Sequence, residues 1–542
     1  MEFFLALLPI LVLIGLIVGA KKSVVFSAAA ALLTLIVVGL WWGLDVLTMS
    51  AAGLRGLFVA TEIILIVFSA LLIVEIIRRQ GLFAPIQRLF TTISNDYRVL
   101  AIIIGFALVY FIEGAAGFGT PAIVVVPILV ALGFKPIHAV SIALVADTIP
   151  VSFGAVGLPI TFGIDSVLQG LTPDHASLTA TVILSVAALN ILFSTLLAVI
   201  IVGLSVYLKE RSLHSFFAAI PFAIFAGLTV SLIAYVTAWA IGPELPSILG
   251  GLIGLFVISF AAKKGFLTPK ATASSNHLQL NDALTANAAP DKADDTRPLS
   301  SRTALWRSLY PYLLLIALLI LTRLPIFRVG ELLQSFTVGS SEFLGTNVVY
   351  SIAPLYSAAT LLLLSAFIAL WLARKRIGAS VVVPLSEVLR KVTRPYLALF
   401  LVLAFVQIFI YSDAAGTTAA MPVVIAEGIS AVSGAFWPFL VPFVGALGSF
   451  LAGSATVSNL IFSGLHYDIA LQLSLEPAVL LSLQTIGASS GNMIALHNIV
   501  AALAIAGIAE SQSHKIIRAN IIPLLILLIV AGVMGLIMTV VF

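Results

Sequence analysis

Apolar residues run through this chain in blocks rather than in alternation. Blocks near 3–20, 24–42, 56–77, 176–207, 215–241, 243–262, 308–322, 351–373 and 520–541 each come close to the roughly 20 residues that cross a bilayer core. Shorter or interrupted blocks lie near 99–134, 137–160, 396–436, 437–463 and 474–510. Together they predict an all-α polytopic membrane protein of roughly 12–14 transmembrane segments. Continuous blocks exclude a β-barrel, whose strands would alternate apolar and polar residues. The first block has no basic start and a second block follows at once, so it predicts a membrane helix rather than a cleaved signal.

Two of the interrupted blocks are broken in the same way. One reads Tyr110-Phe111-Ile112-Glu113-Gly114-Ala115-Ala116-Gly117-Phe118-Gly119-Thr120-Pro121 and the other Tyr411-Ser412-Asp413-Ala414-Ala415-Gly416-Thr417-Thr418-Ala419-Ala420-Met421-Pro422. Irregular backbone at membrane depth is tolerated only inside protein or beside a water-filled cavity. Paired broken segments in corresponding halves are the best sequence pointer to a transporter's binding site. Gly117 and Gly416 are 299 residues apart, and so are Gly154 and Gly453 in the breaks that follow. The pattern predicts two structural repeats, each with a re-entrant hairpin and a discontinuous helix. Hairpin arms of about 14 residues would rise only about 21 Å. The halves are 1–262 and 308–542. The Ala-, Ser-, Asn- and Asp-rich stretch 263–307 between them reads as a hydrophilic, flexible linker. Six crossings between the hairpins would make the repeats parallel; an odd number would invert one of them.

Composition supports lipid as the solvent. The chain is 61% hydrophobic and 9% charged, with mean hydropathy +1.20, against roughly 25% charged residues in soluble domains. The net charge of +4 is small, and the basic loops at Lys21-Lys22, Arg78 to Arg98, Lys263 to Arg307 and Arg374 to Arg394 point to the cytoplasm. That is membrane topology, not a nucleic-acid surface. The chain has no cysteine and no paired histidines at HExxH spacing, so neither disulfide nor metal chemistry is expected, and no cofactor.

The breaks supply the candidate chemistry. Helix N-termini gather free N–H groups and partial positive charge, which suits a small carboxylate. Pro121 and Pro422 fit first helical positions and Thr120 fits a cap. Candidate substrate residues are Gly114, Gly117, Gly119, Thr120, Thr148, Ser152, Gly154, Thr417, Thr418, Gly453, Ser454, Thr456, Ser458 and Asn459. Ser489 and Asn492 join them from a third polar run, Gln484 to Asn492. The competing reading is helix packing through small residues. Glu113, Asp147 and Asp413 are embedded acids, each able to carry a coupled proton or to ligate sodium, or simply to close a hydrogen bond between helices. Glu62 and Glu427 are secondary candidates. Glu75 reads as a charge-pair partner of Arg78 and Arg79, Lys135 and His138 as interfacial, and His466 and Asp468 as loop residues. His497 reads as a packing residue. Ser489 with His497 could suggest an intramembrane serine protease, but the surrounding glycine spacing is not a nucleophile pattern and no enzyme explains two paired breaks. A channel fits less well than occluded sites.

Glu113 to Pro121 closely resembles a signature of the bacterial L-lactate permease family, and Val151-Ser152-Phe153-Gly154-Ala155-Val156-Gly157 resembles a second segment of it. Gly445 to Asn459 and Gly487 to Asn492 match more loosely. The resemblance implies a multi-pass protein of the bacterial cytoplasmic (inner) membrane, not an enzyme. It would import a small 2-hydroxymonocarboxylate such as L-lactate, D-lactate or glycolate, together with protons, by movement of a core against a scaffold of helices. Its partners would be the monocarboxylate, protons and membrane lipid. The resemblance places an uncharged residue where Asp147 stands, so that acid is a departure. Transport of another small organic anion, or sodium/proton antiport, are the alternatives.

Overall fold

The computed structural model describes residues 2–16, 20, 22, 24–80, 90, 92–117, 119–131, 133–169, 171–270, 301–323, 327–340, 343–348, 350–377, 385–413 and 419–541. The protein is helical almost throughout. Among the described residues, seven helices are long and apolar enough to cross a membrane: Tyr97–Ala115, Ile149–Leu168, His175–Lys209, Leu213–Ala240, Pro246–Lys263, Ala431–Phe450 and Ser513–Val540. Shorter apolar helices stand beside them, among them Glu2–Leu13, Val25–Trp41 and Pro136–Ala146. Large apolar side chains such as Phe217 and Trp239 lie exposed on outward faces, which lipid rather than water would solvate. This is the all-α polytopic membrane architecture that the apolar blocks predict.

Two stretches of the chain share an order of elements. In the first, the helix Val109–Ala116 leads through a break to Thr120–Ala131, then to Pro136–Ala146, a second break and Gly154–Ile160. In the second, Leu385–Ile410 leads to Met421–Ser433, Trp437–Ala452, a break and Ala455–Gln472. Thr120 and Met421, Pro136 and Trp437, Gly154 and Ala455 are each 301 residues apart, two more than the glycine matches.

Several elements differ from the sequence reading. The arm before the first break is continuous from Tyr97 to Ala116, about 30 Å long rather than 21 Å. Arg98, read as part of a basic loop, is buried at the start of that arm. Its Nη2 lies 2.5 Å from Asp96 Oδ2 and its Nε 2.9 Å from Asp96 Oδ1. It also donates to the carbonyls of Ser215 and Lys270 at 3.1 and 3.2 Å, because a charge taken out of water needs a counter-charge and full hydrogen bonding. Helix Ser301–Arg323 begins inside the stretch read as linker. The apolar block at 351–373 opens not on helix but on Tyr350–Ile352, paired antiparallel with Val338–Ser340. Tertiary contacts hold this pair: the Tyr350 ring lies 5.0 Å from that of Phe58, and its hydroxyl donates to Glu62 at 2.6 Å. Glu62 is thereby occupied in joining the halves.

Packing between helices relies on close approach, since lipid tails are as apolar as the side chains they would replace. Gly251 lies so near the backbone of Phe111 that a Cβ would overlap it. This clamps Pro246–Lys263 onto the arm before the first break. Long helix Val46–Arg79 runs along Leu385–Ile410, and Arg79 bonds both Glu75 at 2.9 Å and Glu387 at 3.2 Å. Asp45 starts that helix, accepting from the Thr48 amide at 2.8 Å and its hydroxyl at 2.7 Å. Those bonds hold the Asp45 carboxyl below its usual range.

Candidate functional site

The first break reverses the chain because glycine tolerates left-handed backbone. Helix Val109–Ala116 stops at Gly117, whose φ is +63° and whose N–H donates to the Glu113 carbonyl at 3.0 Å. Gly119 is also left-handed, at φ +73°. Thr120 opens the next helix, but it does not act as the expected cap: its buried Oγ1 has no partner among the described residues.

The second break is built from proline and small residues. Asp147 caps Pro136–Ala146, Ile149–Phe153 forms a tight turn, and Gly154 is extended. Ala155, Val156 and Gly157 then sit at φ +45°, +61° and +78°. Left-handed backbone costs about 1–2 kcal/mol for a non-glycine residue, so surrounding contacts must impose it, a pattern found at functional sites. Ala155 meets Gly117 closely enough that a Cβ on the glycine would overlap it. The equivalent break in the second half is simpler: Gly453 is left-handed, and Ser454 caps Ala455–Gln472 through the Val457 N–H.

These breaks cross. Asn459 Nδ2 donates to the Pro159 carbonyl at 2.9 Å, and Ser463 Oγ to that of Gly163 at 3.2 Å. Val151, Ala455 and Ala488 pack together at the crossing. Helix Pro477–Gly491 and the turn after it close the site. Ser152 Oγ donates to Ser489 Oγ at 3.2 Å, and Asn492 Nδ2 to the Asp147 carbonyl at 2.9 Å. Gln484 donates to Ser458 Oγ at 3.0 Å, and Ser458 to the Gly445 carbonyl at 2.7 Å.

Glu113 and Asp147 meet in this setting, both buried. Their carboxyl groups lie within hydrogen-bonding reach of each other. The Glu113 carboxyl lies directly over Gly154, where a Cβ would strike it. Glu113 Oε2 and Asp147 Oδ1 find no N–H or O–H donor among the described residues.

Other sequence candidates fall elsewhere. Gly114 packs on the backbone of Ser247 and Ile248, as a helix-packing glycine does. The Thr148 hydroxyl bonds back to the Val145 carbonyl at 2.8 Å. Thr456 is buried, with its carbonyl against Gly163. Asp413 is exposed at the end of the turn Tyr411–Asp413 and is not among the groups that act on Glu113. Thr417 and Thr418 lie outside the described residues, as does the His497 side chain. His466 is not in a loop but buried on Ala455–Gln472. Its Nδ1 accepts from Trp437 Nε1 at 3.2 Å, so its Nε2 donates to Gln484 Oε1 at 3.0 Å. Asp468, also read as a loop residue, lies half-buried on the same helix, whose Thr456, Ser458, Asn459 and Ser463 are buried with His466.

Sequence reasoning missed Asn498 and Ser247. Asn498 donates to Asn492 Oδ1 at 2.7 Å, and its own oxygen faces Gly119 at the first hairpin tip. Ser247 donates to the Pro150 carbonyl at 2.8 Å. A lone amide within the apolar stretch 493–505 was the available signal for Asn498.

Comparison with known proteins agrees over the whole length. The family model described as L-lactate permease matches residues 2–542. A Haemophilus influenzae protein is 29% identical over 556 residues, covering 98% of this chain and 97% of its own. The glycolate permease GlcA of Escherichia coli K12 is 28% identical, covering 96% and 94%. The L-lactate permease of the same strain is 27% identical, covering 94% and 91%.

Proposed function

The chain belongs to the L-lactate permease family, a multi-pass protein of the bacterial inner membrane, and from that premise we propose that it imports a small 2-hydroxymonocarboxylate by proton symport. Its relatives point to a transporter of lactate-like substrates rather than an enzyme. The observation that carries the finer reading is the convergence of Glu113 and Asp147 on the crossing of the two broken helices.

A carboxylate substrate needs donors: Thr120 would offer its Oγ1, unpartnered among the described residues, and Ser152, Ser489 and the start of the helix capped by Ser454 would join it by giving up their present bonds. The small apolar contact of Val151, Ala455 and Ala488 suits a substrate methyl group. Two ionised acids beside this site would repel an anion. A proton taken up at the pair lowers that repulsion, so substrate and proton favour each other's binding. The loaded core then moves against the scaffold of long helices.

Counterflow in proteoliposomes tests the substrate class. Vesicles loaded with unlabelled L-lactate should draw in labelled L-lactate, with D-lactate and glycolate competing and acetate competing weakly. Competition by acetate equal to that by glycolate would remove the 2-hydroxy requirement. No counterflow with any of these acids would send the search to other organic anions and to sodium/proton antiport.

A further inference from the structure

We infer that Glu113 and Asp147 act as one proton-binding unit, a pair of carboxyl groups sharing a single proton and fastening the first hairpin to the first broken helix. The inference rests on the transport reading above and deepens it. An ionised carboxylate can only accept hydrogen bonds. Here two buried carboxyl groups face each other and each keeps an oxygen with no donor among the described residues, Oε2 of Glu113 and Oδ1 of Asp147. One proton between the groups supplies a donor where none is present and removes the repulsion of two like charges in a low-dielectric place.

The surroundings bear on both groups. Glu113 is seated over Gly154. Asp147 is held from the second half, where Asn492 Nδ2 lies 2.9 Å from its carbonyl and 3.5 Å from Oδ2. Asn498, which bonds Asn492, also faces Gly119 at the hairpin tip. Proton occupancy is thus tied to whether hairpin and broken helix stay together: with the proton they share an O–H···O bond, without it two negative charges push them apart.

Among the described side chains no other charge intrudes; helix Leu496–Ile505, which packs on Pro136–Ala146, carries His497, whose side chain lies outside the described residues. Of the elements packed on Val109–Ala116, helix Pro246–Lys263 carries only its terminal Lys263, and 120–131 and 149–160 carry none. Tyr97–Leu108 carries only Arg98, which is bound to Asp96. Val46–Arg79 carries Arg55, Glu62, Glu75, Arg78 and Arg79. Around Asp147, Pro136–Ala146 carries His138 near its start. His175–Lys209 carries its terminal His175 and Lys209, Pro477–Gly491 carries none, and Ser513–Val541 carries His514, Lys515 and Arg518 in its first turns. Among the described side chains, Asp147 is the one charged group that acts on Glu113, and Glu113 the one that acts on Asp147.

The test uses full-length protein in proteoliposomes. Wild-type counterflow of L-lactate reads the transport function itself, and its absence would overturn both that function and the pair's part in it. With counterflow present, the pH dependence of acid-driven uptake reads the pair. In Asp147→Asn, the introduced amide donates to Glu113 in place of the shared proton and removes the neighbouring charge. The pH of half-maximal uptake is expected to move at least one unit to the acid side, a tenfold rise in the proton concentration required. Glu113→Gln is expected to lose at least tenfold of acid-driven uptake. A pH profile of Asp147→Asn that overlays the wild type would overturn the pair while leaving the transport reading intact. Infrared difference spectra need only folded protein, with Asp147→Ser as the second variant. The carbonyl band of the protonated carboxyl should shift on substitution of Asp147 as well as of Glu113. A band that depends on Glu113 alone would overturn the inference.

Discussion

The side-chain amide of Asn459 donates to the carbonyl of Pro159 across 2.9 Å, joining two helix breaks that lie 300 residues apart. Pro159 follows three left-handed residues, and its carbonyl takes this donor from the other half of the chain. Leaving a buried polar group without a partner costs about 1–3 kcal/mol. Asn459→Ala is expected to lower the melting temperature in detergent and to cut L-lactate uptake at least tenfold. Wild-type melting and uptake in that variant would remove Asn459 from the crossing.

Gly154 makes room for an acid. A methyl group there would occupy the place of the Glu113 carboxyl, and Gly154 itself has ordinary extended backbone that alanine can adopt. Gly154→Ala should therefore fold, with a melting temperature near that of the wild type, yet lose most acid-driven uptake by displacing Glu113. Normal uptake by this variant would show that the seat of Glu113 is not needed.

Thr120 has a buried hydroxyl with no partner among the described residues. Removing a hydroxyl that makes no internal bond should leave stability unchanged or slightly improved. A single hydrogen bond to substrate is worth about 1 kcal/mol, roughly a fivefold change in affinity. Thr120→Val is expected to raise the KM for L-lactate about fivefold with unchanged melting. Lower stability with unchanged KM would make the hydroxyl structural.

Asp96 and Arg98 form a buried ion pair at the start of the first arm. Breaking such a pair by removing one partner costs about 3–5 kcal/mol. Asp96→Ala should show a sharply lower melting temperature and poor membrane yield. A stable variant would mean that the carbonyls of Ser215 and Lys270 suffice to hold the guanidinium.

Much of the site was legible because prolines and glycines interrupt apolar runs that would otherwise be regular helices. That pattern placed the breaks at 113–121 and 148–159 and marked Ser454 and Asn459. It also drew in Gly114, whose lack of a side chain serves contact with Ser247 and Ile248, since packing and binding use the same small residues. The left-handed stretch at Ala155 and Val156 could not be read from local preference, which disfavours it; tertiary contacts impose it. Asp413 shows the limit of symmetry: it stands at the second break in the pattern, but it is exposed, while Asp147, which the first hairpin does not contain, completes the acid pair. Asn498 carries no motif and gains its meaning only from its contacts with Asn492 and Gly119.

Proton coupling is the central claim, and L-lactate uptake into proteoliposomes under an imposed inward proton gradient measures it most directly. Labelled L-lactate should accumulate above its external concentration, and a protonophore should abolish that accumulation while leaving counterflow in place. Accumulation that survives the protonophore, or that follows a sodium gradient instead, would contradict it.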